Sequence, residues 1–523
     1  MQLDKIPLSE THAFNSFFLD YIDQKESLKP FYHRYPAIAN FKEQLAEKQQ
    51  SFPQSTRQTL TAALRDQYKN ITLTPAVETN IGALEQNTTF TITTGHQLNI
   101  FTGPLYFLYK IVTVINACKE LKTVYPQYTF VPVYWMASED HDYAEIKSFK
   151  LYGKKYSWET EQTGAVGRFH TREFKKLLAE LPGDLTPFTE AYTKHQTLGD
   201  AVRHYVHALF GHEGLVILDA DHAALKAVLS PVMREDVFNN VCKNLVENTN
   251  REIEKQGYHP QVFCREINFF YLDKDQRARI ERSGDRYQVV DTTLSFSAEE
   301  MKAIIDENPE KLSPNVILRP LYQEMILPNL AYAGGPAEVI YWLQLKAVFQ
   351  HFKTPFPILM PRNFAMVMDH TVYRKFQKTG LQLKDIFEEK NYIFNHWVLQ
   401  HSNHNLTVSA ERNQVTHLFE ELKKRADSID KTLTAYVAAE GKRALSSLEK
   451  IEHRLLRAEK RLHADKLGQI AAVKDALFPN GSLQERTDNF LNFHQQDRAF
   501  IQKLLTSLEA FDFRFNILSY TEA

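Results

Sequence analysis

Short apolar runs alternating with amphipathic stretches fill the first two-thirds of the chain, and a heptad texture replaces them after about residue 380. Residues 89–94 (TFTITT) are rich in β-formers and stop at Gly95-His96-Gln97. Pro104 suits the first turn of a helix, and apolar positions 105, 108, 112 and 115 give that helix one buried face. Residues 130–136 (FVPVYWM) are hydrophobic throughout, the pattern of a strand covered on both faces. Strand, glycine-bearing turn, helix and strand predict a βαβ unit that opens a parallel sheet. Further strands extending that sheet are predicted at 214–219, 262–272, 315–318 and 357–359, with a helix from His222. Residues 1–85 read as mostly helical, 151–213 as an insert of mixed polarity, and 280–313 as a second insert with a loop-like pattern.

In the C-terminal part, Leu422, Ala426, Ile429, Leu433 and Tyr436 step by threes and fours. After a slip at Glu440-Gly441, Ala444, Leu448, Ile451, Leu455, Ala458 and Leu462 resume the same spacing. One helix spanning 414–477 would be about 95 Å long at ~1.5 Å per residue. Such a helix needs a partner, either a second copy of the chain or a neighbouring helix folding back. Pro479-Asn480-Gly481 ends it, and 485–523 return as a helix and a strand at 513–518. The expected layout is a helical segment (1–85), an α/β core (86–380), a helical coiled-coil domain (381–480) and a segment returning to the core (481–523).

Composition narrows the function classes. The 523 residues are 43% hydrophobic and 24% charged, which argues against disorder. Basic and acidic residues nearly cancel at a net charge of −2, so a dedicated nucleic-acid or anionic-membrane binder is disfavoured. Three scattered cysteines without a CxxC pair indicate neither a zinc site nor a disulfide framework, and no metal-ligand set is assigned. No apolar run approaches the ~20 residues that cross a bilayer, and the N-terminus lacks a signal-peptide pattern. The expectation is a soluble protein of a reducing compartment, with the cytoplasm as default.

Chemistry gathers at the predicted strand ends, where parallel sheets collect ligands. The first turn holds Gly95, His96 and Gln97, then Thr102-Gly103-Pro104. Its Gly-His pair resembles the nucleotide-binding histidine motif of class I adenylating enzymes; a glycine turn with a surface histidine is an equally weighted reading. The second adenylation signature has only a faint echo in Lys311-Leu312-Ser313. The second turn, Ser138-Glu139-Asp140-His141-Asp142, packs four ionisable groups into five residues. Such a cluster suits acid–base work, an amine or a divalent cation, although acids there also cap helices. The third cluster, Gly334-Gly335-Pro336-Ala337-Glu338, lets backbone approach a ligand, with Glu338 in a first helical turn. Asp219 and Asp221 end another strand.

Taken in order, TTGHQLNIFTGPLYFLYK, VPVYWMASEDHDYAEI, GGPAEVIYWLQL, Pro361-Arg362-Asn363 and FPNGSLQER resemble the cysteine ligase family of bacillithiol biosynthesis, the BshC family. The resemblance implies a Rossmann-like core with connecting inserts and a coiled-coil domain that makes a homodimer. It implies amide formation between the carboxyl group of cysteine and the amine of glucosaminyl malate. Activation of that carboxylate through ATP, as an adenylate or acyl phosphate, is the economical route, with ADP or AMP as product and Mg as a possible companion. The resemblance implies glutamine at the middle position of the first turn where this chain has His96, which shifts weight from His96 to Gln97. On this basis Asp140, His141, Asp142 and Gln97 are expected to be catalytic and Glu139, Glu338 and Asp219 to bind substrate. Gly95, His96, Gly103, Gly334 and Gly335 are expected to bind nucleotide. Two rivals carry weight: a class I aminoacyl-tRNA synthetase-like adenylating enzyme, and a catalytically inactive coiled-coil scaffold.

Overall fold

The computed structural model describes residues 1–521. At its centre lie five parallel strands, Thr89–His96, Thr129–Met136, Val216–Asp219, Asn329–Gly334 and Ile358–Pro361. Numbered along the chain, they stand side by side in the order 3-2-1-4-5. The order reverses between the first and fourth strands, so a crevice opens there at the carboxyl ends. This is a Rossmann-like core. The first strand is buried along its whole length, and its polar side chains are used inside the sheet. Thr91 and Thr93 donate to Asn329 Oδ1 at 3.1 and 2.8 Å, and Thr94 donates to the Ala333 carbonyl at 2.7 Å. Helix Tyr106–Val124 crosses back between the first two strands, burying Leu108, Val112 and Ile115 as the spacing predicts.

Three smaller sheets surround this core. Gln2–Ile6 pairs antiparallel with Phe515–Ser519, which runs parallel to Phe364–Met368, so a strand precedes the helices of the first 85 residues. A hairpin joins Ser148–Leu151 to Lys154–Ser157. A five-stranded antiparallel sheet is built from Phe269–Asp273, Gln276–Ser283, Arg286–Val289, Ser295–Phe296 and Leu312–Pro314.

That last sheet corrects three expectations. The apolar run at 262–272 yields a strand only at Phe269–Asp273, and it joins the antiparallel sheet instead of the parallel one. Residues 315–318 form a turn leading into helix Arg319–Ile326; the strand lies just before them at Leu312–Pro314. The stretch 280–313, loop-like in pattern, is ordered as strands and a helix, Ala298–Glu307, whose N-terminus is closed by a Ser297–Glu300 capping box.

The single long helix is also corrected. Helix Ser409–Ile429 stops at Asp430, whose extended backbone (φ −157°, ψ 119°) reverses the chain. Asp430 then caps helix Lys431–Leu462 through Thr432 N–H at 2.8 Å. The two helices fold against each other as an antiparallel hairpin; Arg412 meets Glu449 at 2.9 Å across it. Gly441, at the slip, lies within the continuous helix Lys431–Leu462. A Cβ there would stand 3.1 Å from the Phe419 ring, so glycine allows the helices to approach. Fold-back buries Ala426 but leaves Ile429, Leu433, Tyr436, Ile451, Leu455 and Leu462 exposed. No described helix is long and apolar enough to cross a membrane.

Candidate active site at the sheet switch point

A cavity of about 320 Å³ opens where the strand order reverses. Gly95, His96 and Gln97 line it from the first strand, and Tyr332, Gly335 and Glu338 from the fourth strand and its following helix. Gly95 keeps this corner of the cavity open: a Cβ would stand tightly against Tyr332 Oη at 3.3 Å and in contact with Arg319 Nη1 at 3.5 Å. The loop behind it is strained, with Phe101, Thr102 and Gly103 all at positive φ. Asn489 of the returning C-terminal segment holds that loop by donating to the Phe101 and Gly103 carbonyls, both at 2.7 Å.

Two internal ion pairs border the cavity. Lys110 Nζ, on the crossover helix, lies 2.6 Å from Glu338 Oε2 and donates to the Gly95 carbonyl at 2.8 Å. Tyr332 Oη and Gly335 N–H also donate to Glu338, at 2.7 and 2.8 Å. Burial alone would raise the Glu338 carboxyl, but Lys110 and these donors override it and hold it at about 2. Burial pulls the Lys110 ammonium down, against the opposing pull of Glu338. The second pair is bidentate: Arg362 donates to both Glu485 oxygens, at 2.6 and 3.0 Å. It joins the Pro361-Arg362-Asn363 and FPNGSLQER segments, which lie far apart in sequence, and Arg486 beside it reaches the cavity.

His96 is stacked on Tyr106, with ring centroids 5.2 Å apart and planes 15° apart. Its Nε2 is buried without a hydrogen-bond partner among the described residues. Burial first, then the Lys110 charge, push the imidazole down to about 3, so it is neutral at physiological pH.

The acidic turn divides its side chains among separate tasks. Gln97 Nε2 donates to Asp140 Oδ2 at 2.8 Å, which links this turn to a cavity-lining residue. Arg277, reaching over from the antiparallel sheet, lies 2.8 Å from His141 Nδ1 and 3.8 Å from Asp140. Burial and the Arg277 charge lower the His141 imidazole, so it faces the guanidinium as a neutral acceptor. Asp142 caps the short helix Tyr143–Ile146 by accepting from Glu145 N–H at 3.3 Å. Glu139 turns to the fully buried Lys226, at 2.6 Å, which also meets Asp221 at 3.2 Å. Asp219 accepts from Ser138 Oγ and from Asp221 N–H. Burial raises the Asp219 carboxyl, and the neighbouring Asp221 charge adds to the effect.

Among the glycines expected to bind nucleotide, Gly95 and Gly335 line the cavity. Gly103 serves the strained loop, where a Cβ would overlap the Asn99 side chain at 2.7 Å. Gly334 accepts from Arg362 N–H at 2.9 Å. Sequence reasoning passed over Lys110, Tyr106, Tyr332, Arg319, Arg362 and Arg486. Several lie inside the quoted segments, yet nothing in their spacing announces that the fold converges them.

Comparison with known proteins covers the whole arrangement. Residues 1–363 match the model described as bacillithiol biosynthesis BshC, N-terminal Rossmann-like domain, and residues 365–520 match the C-terminal coiled-coil domain of the same protein. A protein named "Putative cysteine ligase BshC" from Flavobacterium psychrophilum is 41% identical over 533 residues, covering 99% of this chain and all of the relative. Proteins of the same name from Cytophaga hutchinsonii (39% identical, 99% of both chains) and Salinibacter ruber (29%, 94% of this chain and 93% of the relative) are similar along their length.

Proposed function

The chain belongs to the bacillithiol biosynthesis BshC family, and we propose that it is a ligase joining the carboxyl group of cysteine to the amine of glucosaminyl malate. The observation that carries this reading is the cation-bordered cavity at the switch point, reached by the Gln97–Asp140 contact. It offers anion-binding groups and a carboxylate side by side, as amide formation between a carboxylate and an amine requires.

A free carboxylate resists attack by an amine because an oxide must leave, so the reaction needs activation. ATP supplies that activation when bound. The unpartnered His96 Nε2 and the surrounding cations fit phosphate oxygens. Among the described residues no group of three or more His, Cys, Asp or Glu side chains is placed to hold a metal. Mg is therefore proposed only as an ion carried with the nucleotide phosphates.

The chain's own residues divide the remaining work. Lys110 and Glu338 set the charge of the cavity floor as a locked pair. Asp140, oriented by Gln97 and partly exposed, holds the attacking ammonium and accepts its proton as the nitrogen becomes nucleophilic. His96 remains a neutral hydrogen-bonding wall.

The reading includes a homodimer. Ile451, Leu455 and Leu462 share one exposed stripe of the hairpin, and a symmetric partner would bury it. Each large side chain so covered contributes roughly 1.5–3 kcal/mol when burial is complete.

Incubating the protein with cysteine, glucosaminyl malate and ATP tests the reading. A new thiol with the mass of both substrates less water is expected, with ADP or AMP. Nucleotide-independent product, or none, contradicts it.

A further inference from the structure

Four cations border the switch-point cavity, Lys110, Arg319, Arg362 and Arg486. The protein itself neutralises two of them, Lys110 through Glu338 and Arg362 through Glu485, each at 2.6 Å. Arg486 also borders a neighbouring hollow lined by Glu388, Glu389 and Asp475. Arg319 has a different environment. It stands at the start of helix Arg319–Ile326, with its guanidinium carbon 5.9, 5.5 and 5.7 Å from the ring centroids of Trp135, Tyr332 and Trp342. Nη1 donates to Gln323 Oε1 at 3.1 Å and Nη2 to Tyr341 Oη at 3.2 Å. Every one of these partners is neutral, and among the described residues Arg319 joins no ion pair.

Aromatic faces offset part of the cost of burying a cation, and the bonds to Gln323 and Tyr341 use one N–H of each terminal nitrogen, which leaves further in-plane N–H groups on a residue that lines the cavity. Those groups match the oxygens of a carboxylate or a phosphate. The neighbouring backbone leaves the approach open, because Gly95 lacks the Cβ that would stand 3.5 Å from Nη1. Glu338, held by Lys110, Tyr332 and Gly335, acts on Arg319 only through space and forms no direct ion pair with it.

We propose that Arg319 is the anion receptor of the cavity, binding a carboxylate or phosphate of one reactant through its guanidinium edge. The proposal rests on the reading of this cavity as the ligase site, and it adds the residue that recognises the charged reactant. The candidate anions are the cysteine carboxylate, the malyl carboxylates and the triphosphate of ATP.

Calorimetric titration distinguishes them without turnover. Cysteine, glucosaminyl malate and ATP are titrated separately into the wild type, Arg319→Lys and Arg319→Met, and thermal melting is recorded for each protein. One reactant is expected to bind at least tenfold more weakly to Arg319→Met, with Arg319→Lys between the two and the other reactants unchanged. Loss confined to ATP assigns the phosphate; loss confined to cysteine or to glucosaminyl malate assigns the respective carboxylate. Where Arg319→Met does not fold, Arg319→Lys decides, since it keeps the charge and removes the fork. A folded variant with unchanged affinity for all three, an equal loss for all three, or a wild type that binds none overturns the proposal. Selective loss in a protein that makes no amide would remove the ligase reading and leave the receptor standing.

Discussion

Gln97 Nε2 donates to Asp140 Oδ2 at 2.8 Å, and this one hydrogen bond fastens the turn after the first core strand to the turn after the second. It gives a partly exposed carboxylate a fixed direction beside the cavity. Asp140→Asn keeps an acceptor oxygen for Gln97 but cannot take a proton. Ligation is expected to fall by about 100-fold or more in kcat/KM, in the range of a lost general base. Stability should fall by roughly 1 kcal/mol, because a single amide oxygen cannot accept from both Gln97 and the His141 N–H. Full turnover by Asp140→Asn would leave the carboxylate only the task of anchoring the turn.

Removing the Glu338 charge strands Lys110 in a buried site. Glu338→Gln should destabilise the protein by about 3–5 kcal/mol, the usual cost of breaking a buried pair from one side. The sign with pH follows from its carboxyl being held at about 2 against an ordinary 4.5. As pH falls below 4.5 the unfolded chain takes up this proton first, so stability is lost progressively toward pH 2. Urea midpoints of wild type and Glu338→Gln should therefore converge on acidification. A gap unchanged between pH 7 and pH 3 would contradict the pairing.

His96 gives an independent pH test. Its imidazole is pushed from 6.5 down to about 3 by burial and by Lys110. Between these values the unfolded chain binds a proton that the folded chain refuses, so stability is present above pH 6.5 and declines below it. His96→Gln removes this contribution and should lose less stability than the wild type between pH 7 and pH 5. The kcat/KM profiles of the two proteins should have the same shape from pH 6 to 8. Parallel stability curves would contradict the lowered imidazole, and a kinetic limb that vanishes in His96→Gln would make His96 a proton carrier.

The parts of the fold legible in sequence are those whose pattern is local. Residues 130–136 are apolar throughout because both faces of that strand are covered, and Gly95 marks the turn beside it. The strand Gln276–Ser283 was illegible because its sequence, QRARIERS, is charged and half exposed at the protein surface. The reversal at Asp430 was hidden because the apolar heptad positions continue on both sides of it. In the site, glycines and the acidic cluster announce themselves by proximity in sequence. The cations do not: Arg362 becomes part of the cavity through Glu485, 123 residues away, and Lys110 through Glu338.

The apolar stripe predicts the oligomeric state. Ile451, Leu455 and Leu462 are 49%, 40% and 73% exposed, so charges placed there should not disturb the monomer fold. Leu455→Glu together with Leu462→Glu should convert a dimer to monomers in sedimentation while leaving helicity unchanged. A doubly substituted protein that remains dimeric would move the interface off the hairpin, and a monomeric wild type would make the stripe surface only.

The most direct test of the central claim uses cysteine labelled with ¹⁸O in its carboxyl group. Ligation at the switch-point cavity with activation by ATP predicts an amide retaining one labelled oxygen. The other label should appear in the AMP or the inorganic phosphate released with it, read by mass spectrometry. Amide formed without label in any phosphorus product, or nucleotide consumed without amide, would contradict the account.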